Sequence, residues 1–350
     1  MTDILETIQR ESLISFPFLG DWFINPPSSF TLFGRTIYLY GVIVALAFLA
    51  GILWLTKTCK RFDIREDDLY DTILWAIPLG IIGARLYYVL FSLDYYLANP
   101  GKILAVWEGG LAIYGGIIAG VLVVYFVCRH KKMRVAAMLD LVITGVILGQ
   151  IIGRWGNFFN REAFGRETTV FCRMGLTAPD GTTVYVHPTF LYESLWNLAL
   201  FVFLWIFIRK GKRKYNGQIM LIYLLVYGIG RALIEGLRTD SLYIGGTGIR
   251  VSQLLSALLA LFAAVLLAVN GRRVKAGTLK LEPPYRNGSP EPEETAAAEA
   301  PAEEEDAGDE ESSAEEKTPA EEQEAPEEEA APEEAEASGA DAPSGGEGEG

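Results

Sequence analysis

Seven apolar runs, most of them long enough to cross a bilayer as helix, occupy much of the first 281 residues of this chain. They are 37–56, 73–93, 111–128, 138–153, 189–208, 219–236 and 251–269. The hydrocarbon core of a bilayer is about 30 Å thick, which takes roughly 20 residues of helix. In that medium each segment must satisfy its own main-chain N–H and C=O groups, so the runs are read as helices. The sequence predicts an all-α polytopic membrane protein of about seven transmembrane helices, not a water-soluble globule. The run at 138–153 is short and leads straight into Gly-Arg-Trp-Gly. That predicts a helix ending there, beside protein rather than lipid.

Charge then orders the chain. The formal net charge of −14 averages two unlike parts. Residues 1–281 hold 28 Lys and Arg against 18 Asp and Glu, a net of +10, whereas residues 282–350 hold 2 against 26, a net of −24. Three regions follow: an outward amino-terminal segment (1–36), a membrane body (37–281) and an acidic tail (282–350). The tail is Glu, Ala, Pro, Gly and Ser, with almost no large apolar side chain. It cannot bury enough surface to offset chain entropy and is expected to be disordered.

The loops 57–72, 129–137, 209–218 and 270–281 carry 17 Lys and Arg, while the alternate set carries 9. Basic loops stay on the cytoplasmic side, so the amino terminus is expected outside and the carboxyl terminus inside. Residues 1–36 lack the basic start and short apolar stretch of a cleaved signal peptide. The positive charge lies in short clusters between apolar runs, which gives nucleic-acid binding little support. Three cysteines (Cys59, Cys128, Cys172) and two histidines (His130, His187) form no disulfide framework or metal-ligand spacing. No metal or cofactor is expected.

Ionisable groups inside a span cost roughly 2.5–3.5 kcal/mol each on insertion scales, so each one needs a reason. In the sixth span Tyr227, Arg231, Glu235 and Arg238 recur at i, i+4, i+8 and i+11, which puts them on one stripe. Arg231 and Glu235 can pair as a structural bridge. Two arginines and a tyrosine in a row also suit an anionic group. A second concentration follows the fourth span, GRWGNFFNREAFG, residues 153–165. It packs Arg154, Asn157, Asn160 and Glu162 into ten residues, with glycines that let a ligand approach and an arginine fork suited to phosphate. The alternative is a capped helix end in a loop.

A third cluster, His187-Pro188-Thr189-Phe190-Leu191-Tyr192-Glu193, opens the fifth span. His187 is either an interfacial residue or part of a site. Glu193 lies within the apolar run and needs a partner, an arginine being the obvious one. Arg85 sits within the second span, and Tyr40 opens the first. Glycine pairs flank the start of the third span, around Tyr114, and fit close helix packing. Asp140 and Gln150 are expected to face the bundle interior. Most of these polar residues fall in the outward half, with excess positive charge, beside lipid. A phospholipid headgroup is the economical ligand. No P-loop and no Ser-His-Asp set is present, so a protein nucleophile is not evident.

These stretches resemble the prolipoprotein diacylglyceryl transferase family. GRWGNFFNREAFG resembles its signature loop, and HPTFLYE, GARLYYV, GGLAIYGG and the Arg-Ala-Leu-Ile-Glu step with Arg238 also match, over about residues 15–270. The resemblance implies a seven-helix body with an outward site open to lipid. It implies transfer of the diacylglyceryl group of phosphatidylglycerol to the lipobox cysteine thiol of a bacterial prolipoprotein, in the cytoplasmic membrane, with a thioether and glycerol phosphate as products. Arg154, Arg231, Glu235 and Tyr114 are then expected to be catalytic. Asn157, Glu162, Gly165, Tyr40, Tyr227, Asn160, His187, Arg238 and Arg85 are expected to bind substrate. Tyr114 stands where some members carry a histidine, and a phenol with a reference pKa near 10 is a poor base at neutral pH. The chemistry can run without it, because the substrate thiol, with a free pKa of about 8.5, is its own nucleophile once a positive site lowers that value. A transporter would instead place polar residues on both sides of the midplane. A non-catalytic lipid-binding anchor would leave the outward Arg/Asn/Glu cluster unexplained.

Overall fold

A computed structural model describes residues 12–286 apart from 21, 240, 242 and 244–246. Residues 1–11, and the acidic tail from 287 onward, lie outside the described residues. Among the described residues seven helices are long and apolar enough to cross a membrane. They are α1 (Leu39–Thr58), α2 (Glu66–Leu90), α4 (Ile113–His130), α5 (Val135–Asn160), α6 (Thr189–Arg209), α7 (Gln218–Glu235) and α8 (Val251–Lys275), with a short helix α3 (Leu93–Ala98) between the second and third spans. Each matches a predicted run. The ends differ where the local chemistry is polar. Helix α2 starts seven residues earlier than its apolar run because Glu66, Asp67 and Asp68 occupy its first turn, where the helix dipole favours negative charge.

The body is built on α5, which packs on α1, α4, α6 and α7, while α2 packs on α4 and α8 on α7. Without a hydrophobic drive between helices in lipid, close approach at small residues holds such pairs. A methyl placed on Gly115 of α4 would stand 2.3 Å from the carbonyl oxygen of Gly83 in α2. Two polar side chains face inward as expected. Asp140 is fully buried, and its carboxylate accepts the N–H groups of Gly217 and Met220, at 2.8 and 2.9 Å, at the start of α7. Gln150 Nε2 donates to the hydroxyl of Tyr223 at 2.9 Å.

The all-helical expectation needs an addition on the side where α1 begins and α5 ends. Four short strands, β1 (Leu13–Ser15), β2 (Phe23–Ile24), β5 (Met174–Thr177) and β6 (Thr183–Val186), form an antiparallel sheet in the order β2-β1-β5-β6. Its inner side chains, Ile14, Met174, Leu176 and Val186, bury against Phe164 and Phe190. Strands β3 (Ser29–Leu32) and β4 (Arg35–Tyr38) make a separate hairpin that runs directly into α1.

On the opposite side residues 282 and 285, just past the boundary that composition placed at 281, pack back on the body. Tyr285 is buried, and its hydroxyl donates to Asp68 Oδ2 at 2.5 Å while accepting the Arg65 N–H at 3.0 Å. Arg134 pairs with Glu282 at 2.6 Å. One large aromatic side chain with two hydrogen bonds is what composition averaged away.

Candidate active site

The predicted turn at residues 153–156 does not form. Helix α5 runs two further turns to Asn160 and stops where Arg161 takes a left-handed conformation, φ 52° and ψ 40°. Gly156 is there for proximity. A methyl on it would meet the ring of Tyr40 at 2.7 Å, so Tyr40 packs directly on the helix that carries Arg154 and Asn157.

The extension aims one face of α5 at α6 and α7. Arg154 Nη2 lies 2.5 Å from Glu193 Oε2 of α6, and Arg231 Nη1 of α7 lies 2.7 Å from Glu193 Oε1. Arg238, just past the end of α7, approaches the same oxygen at 3.5 Å. Arg231 Nη2 also pairs with Glu235 Oε2 at 2.6 Å, one turn along its own helix. In the other direction Arg154 donates to Asn157 Oδ1 at 3.3 Å, and Asn157 Nδ2 donates to Glu162 Oε1 at 2.9 Å. Asn160 reaches the same Glu162 oxygen at 3.5 Å. One chain of charged and polar groups therefore runs from Glu162 through Asn157, Arg154, Glu193 and Arg231 to Glu235. Tyr227, one turn below Arg231, stacks on Tyr223 at 5.0 Å and has Arg154, Arg231 and Glu193 as charged neighbours.

Glu193 is the centre, and its carboxylate is nearly inaccessible. Sequence reasoning marked it as needing an arginine but did not place it among the site residues. It has three arginines. The charge balance also differs from the strongly positive site expected: three guanidinium groups face two buried carboxylates, Glu193 and Glu235. Among the described residues no group of three His, Cys, Asp or Glu is arranged to hold a metal ion. What the set offers is a row of fixed donors whose counter-charge is supplied by the protein itself.

The residues carrying this geometry lie inside a known sequence pattern. The profile of the family described as Prolipoprotein diacylglyceryl transferase matches residues 27–269. The chain belongs to that family. A phosphatidylglycerol–prolipoprotein diacylglyceryl transferase of Finegoldia magna is 45% identical over 238 residues, covering 68% of this chain and 93% of the relative. The protein of the same name from Lactobacillus acidophilus is 43% identical over 257 residues, 71% of this chain and 90% of the relative. That from Streptococcus equi subsp. equi is 43% identical over 245 residues, 68% and 93%.

Other predicted site residues of this diacylglyceryl transferase family member are placed differently. Gly165 lies in a strap between α5 and β5. Its N–H donates to the His187 carbonyl at 2.9 Å, and a methyl on it would sit 2.6 Å from His187 Cβ and 3.1 Å from the Leu237 oxygen. It pairs as an isolated bridge with Arg238, so only glycine lets this strap lie against the end of α7. The Tyr114 hydroxyl lies 3.2 Å from Ser252 Oγ at the start of α8, linking two helices beside Tyr227.

His187 is held by a different partner. Its Nδ1 lies 3.3 Å from the Tyr192 hydroxyl, and burial together with the Arg166 charge holds its pKa below the usual imidazole value. Arg85, expected among the substrate-binding residues, turns its guanidinium to the main-chain carbonyls of Lys102, Ile103, Ala105, Gly109 and Gly110, at 2.6–3.2 Å. An arginine can close a loop that way because five N–H groups fan out in one plane.

Sequence reasoning also missed Arg161. It is buried, and it donates to the Ser12 and Pro26 carbonyls and to Asn25 Oδ1 at 2.6–2.9 Å. The acceptors are 135 or more residues away, and two are main-chain atoms, so only an otherwise unexplained charge inside the signature loop signalled it.

Proposed function

We propose that this chain transfers the diacylglyceryl group of phosphatidylglycerol to the lipobox cysteine thiol of a prolipoprotein, in a bacterial cytoplasmic membrane with the site on the outer face. The observation that carries the reading is the Arg154–Glu193–Arg231 chain at the membrane edge of α5, α6 and α7. The names of the relatives agree with it, and the excess of Lys and Arg in the opposite loops supports the orientation.

The thiol sulfur attacks the glycerol carbon that bears the phosphate. A carbon–sulfur bond forms, the carbon–oxygen bond breaks, and its electron pair leaves on the phosphate oxygen as glycerol phosphate. The thiol proton passes to solvent as the thiolate forms, and the phosphate monoester leaves as a dianion. Negative charge on the phosphate grows as the bond breaks, so Arg154 and Arg231 hold the transition state more strongly than the ground state. Asn157 with Glu162, and Glu235 with Glu193, keep the two guanidinium groups oriented. Tyr227 and Tyr40 line the approach. The phosphate shares the arginines with Glu193 instead of entering an empty cation pocket.

The test is purified protein with phosphatidylglycerol and a lipobox peptide, with the thioether product detected by mass. Arg154→Ala and Arg231→Ala should each lower turnover by about a hundredfold or more, the usual loss for one transition-state donor. Wild-type activity in either variant would remove the clamp from the mechanism.

A further inference from the structure

The β3–β4 hairpin has no part in the reaction proposed above. Its register sets Phe30 opposite Ile37, Leu32 opposite Arg35, Thr31 opposite Thr36 and Ser29 opposite Tyr38. Directly paired residues project from one face and their neighbours from the other. One face therefore carries Phe30, Leu32 and Ile37 with Arg35, and the other carries Ser29, Thr31, Thr36 and Tyr38. Phe30 and Leu32 are 42% and 45% exposed, and Phe33 at the tip is 96% exposed. The two-residue turn has φ 49° at Phe33 and 74° at Gly34. Such turns favour Asn, Asp or Gly at both positions, and bulky side chains avoid that backbone region. A turn facing water has no use for phenylalanine there.

Three features indicate what meets this face. Tyr38 ends β4 and Leu39 begins α1, with no spacer between hairpin and membrane helix. The Leu39 N–H closes the base of the hairpin on the Ser28 carbonyl at 2.9 Å. Helix α1 goes on to expose Leu46, Phe48, Leu49 and Leu53, so the hairpin stands at the edge of the surface that meets lipid. Arg35, its single charged residue, lies beside Leu32. The aliphatic stem of an arginine tolerates apolar surroundings while its head reaches a phosphate. The base is also held to the body, because Arg161 binds Asn25 and Pro26 just before β3.

We propose that the β3–β4 hairpin is a membrane-inserted paddle. Phe30, Leu32, Phe33 and Ile37 sit among the acyl chains of the leaflet beside the site, and Arg35 holds a lipid phosphate at its surface. The partner is anionic phospholipid, and the paddle fixes the depth of Tyr40, two residues into α1, where it packs on Gly156.

The experiment labels single cysteines with a nitroxide in the full chain, reconstituted in phosphatidylcholine–phosphatidylglycerol vesicles without peptide. Cys172 is replaced by serine, while Cys59 and Cys128 are buried. Power saturation compares access of oxygen, which partitions into lipid, with access of a water-soluble nickel chelate. Labels at Phe33→Cys and Leu32→Cys should give an oxygen-to-nickel ratio above unity, and one at Asp180→Cys, in the exposed β5–β6 turn, a ratio below unity. Arg35→Glu should lower the ratio at residue 33 in these vesicles and leave it unchanged in pure phosphatidylcholine. A ratio at residue 33 equal to that at 180 overturns the proposal. Shielding of residue 33 that appears only when lipobox peptide is added overturns it too, because the face then belongs to a peptide. Neither readout uses transferase activity, so failure here and failure of the proposed function are distinguishable.

Discussion

Replacing Glu193 with glutamine isolates what the central carboxylate does. Gln keeps the shape and one acceptor oxygen but carries no charge. Each arginine–carboxylate pair, with charge centres about 4 Å apart and an effective dielectric of about 20, is worth about 4 kcal/mol before desolvation. Desolvation consumes much of that, and breaking a buried pair by removing one partner costs about 3–5 kcal/mol. At about 2–4 °C per kcal/mol for a body of this size, the melting temperature in detergent should fall by roughly 6–20 °C. An added anion supplies the missing charge. Glycerol phosphate at a hundred times its dissociation constant returns about 2.7 kcal/mol, so Glu193→Gln should regain a large part of the loss. The wild type, whose arginines already have a counter-charge 2.5–2.7 Å away, should gain less. The assay is thermal unfolding followed by tryptophan fluorescence, with glycerol phosphate titrated at constant ionic strength. A variant that melts within 2 °C of wild type, or gains no more from the anion, would refute the reasoning.

Arg85→Met leaves main-chain carbonyls of residues 102–110 without their donors, and should cost roughly 2–4 kcal/mol from the lost charged hydrogen bonds. Its readouts are a lower melting temperature and faster proteolysis within 99–110. Tyr285→Phe removes the bond to Asp68 and should cost about 1–3 kcal/mol. A chain ending at Arg286 should melt like the full chain, and one ending at Leu281 well below it. Equal melting of the two truncations would show that the Tyr285 contacts add nothing. The depressed pKa of His187 means that the unfolded chain takes up this proton more readily than the folded one. Its contribution to stability is therefore constant above the unfolded value of about 6.5 and declines as pH falls below it. His187→Gln should flatten that part of the pH–melting profile, and an unchanged slope would contradict the assignment.

The membrane helices were legible because hydropathy over about 20 residues is a non-local sum that survives local exceptions. The stripe of Tyr227, Arg231, Glu235 and Arg238 was legible for a related reason: a 3.6-residue period places side chains without knowledge of their neighbours. What failed was local inference about glycine. Gly153 and Gly156 read as a helix stop, yet α5 continues through both, and Gly156 instead makes room for Tyr40. Two-to-four-residue strands such as β1 and β2 carry too little alternation to separate from loop. Arg85 is ambiguous for a different reason. Its partners are main-chain carbonyls, which every residue has, so nothing in the sequence distinguishes a loop-closing arginine from a ligand-holding one. Glu193 fell between these cases, because burial demanded a partner but not which arginine, or how many.

The three-to-two charge balance explains how such a site exists between apolar helices at all. Three guanidinium groups, from α5, α7 and the segment just past α7, left unpaired where water is scarce, would each carry a desolvation cost of several kcal/mol. The resting structure avoids this by setting Glu193 between them and Glu235 beside Arg231. An anion that arrives therefore shares guanidinium groups that a carboxylate already holds, and the net gain on binding is smaller than for an open arginine pocket. For a group-transfer reaction that modesty is useful. In the proposed reaction the leaving phosphate gains a second negative charge in the transition state, where Arg154 and Arg231 hold it more strongly. Glu193 stays between the arginines throughout, so the departure of the product leaves no charge unpaired. Tight ground-state binding would slow release, whereas a clamp with its own counter-charge spends its attraction on the charge that develops.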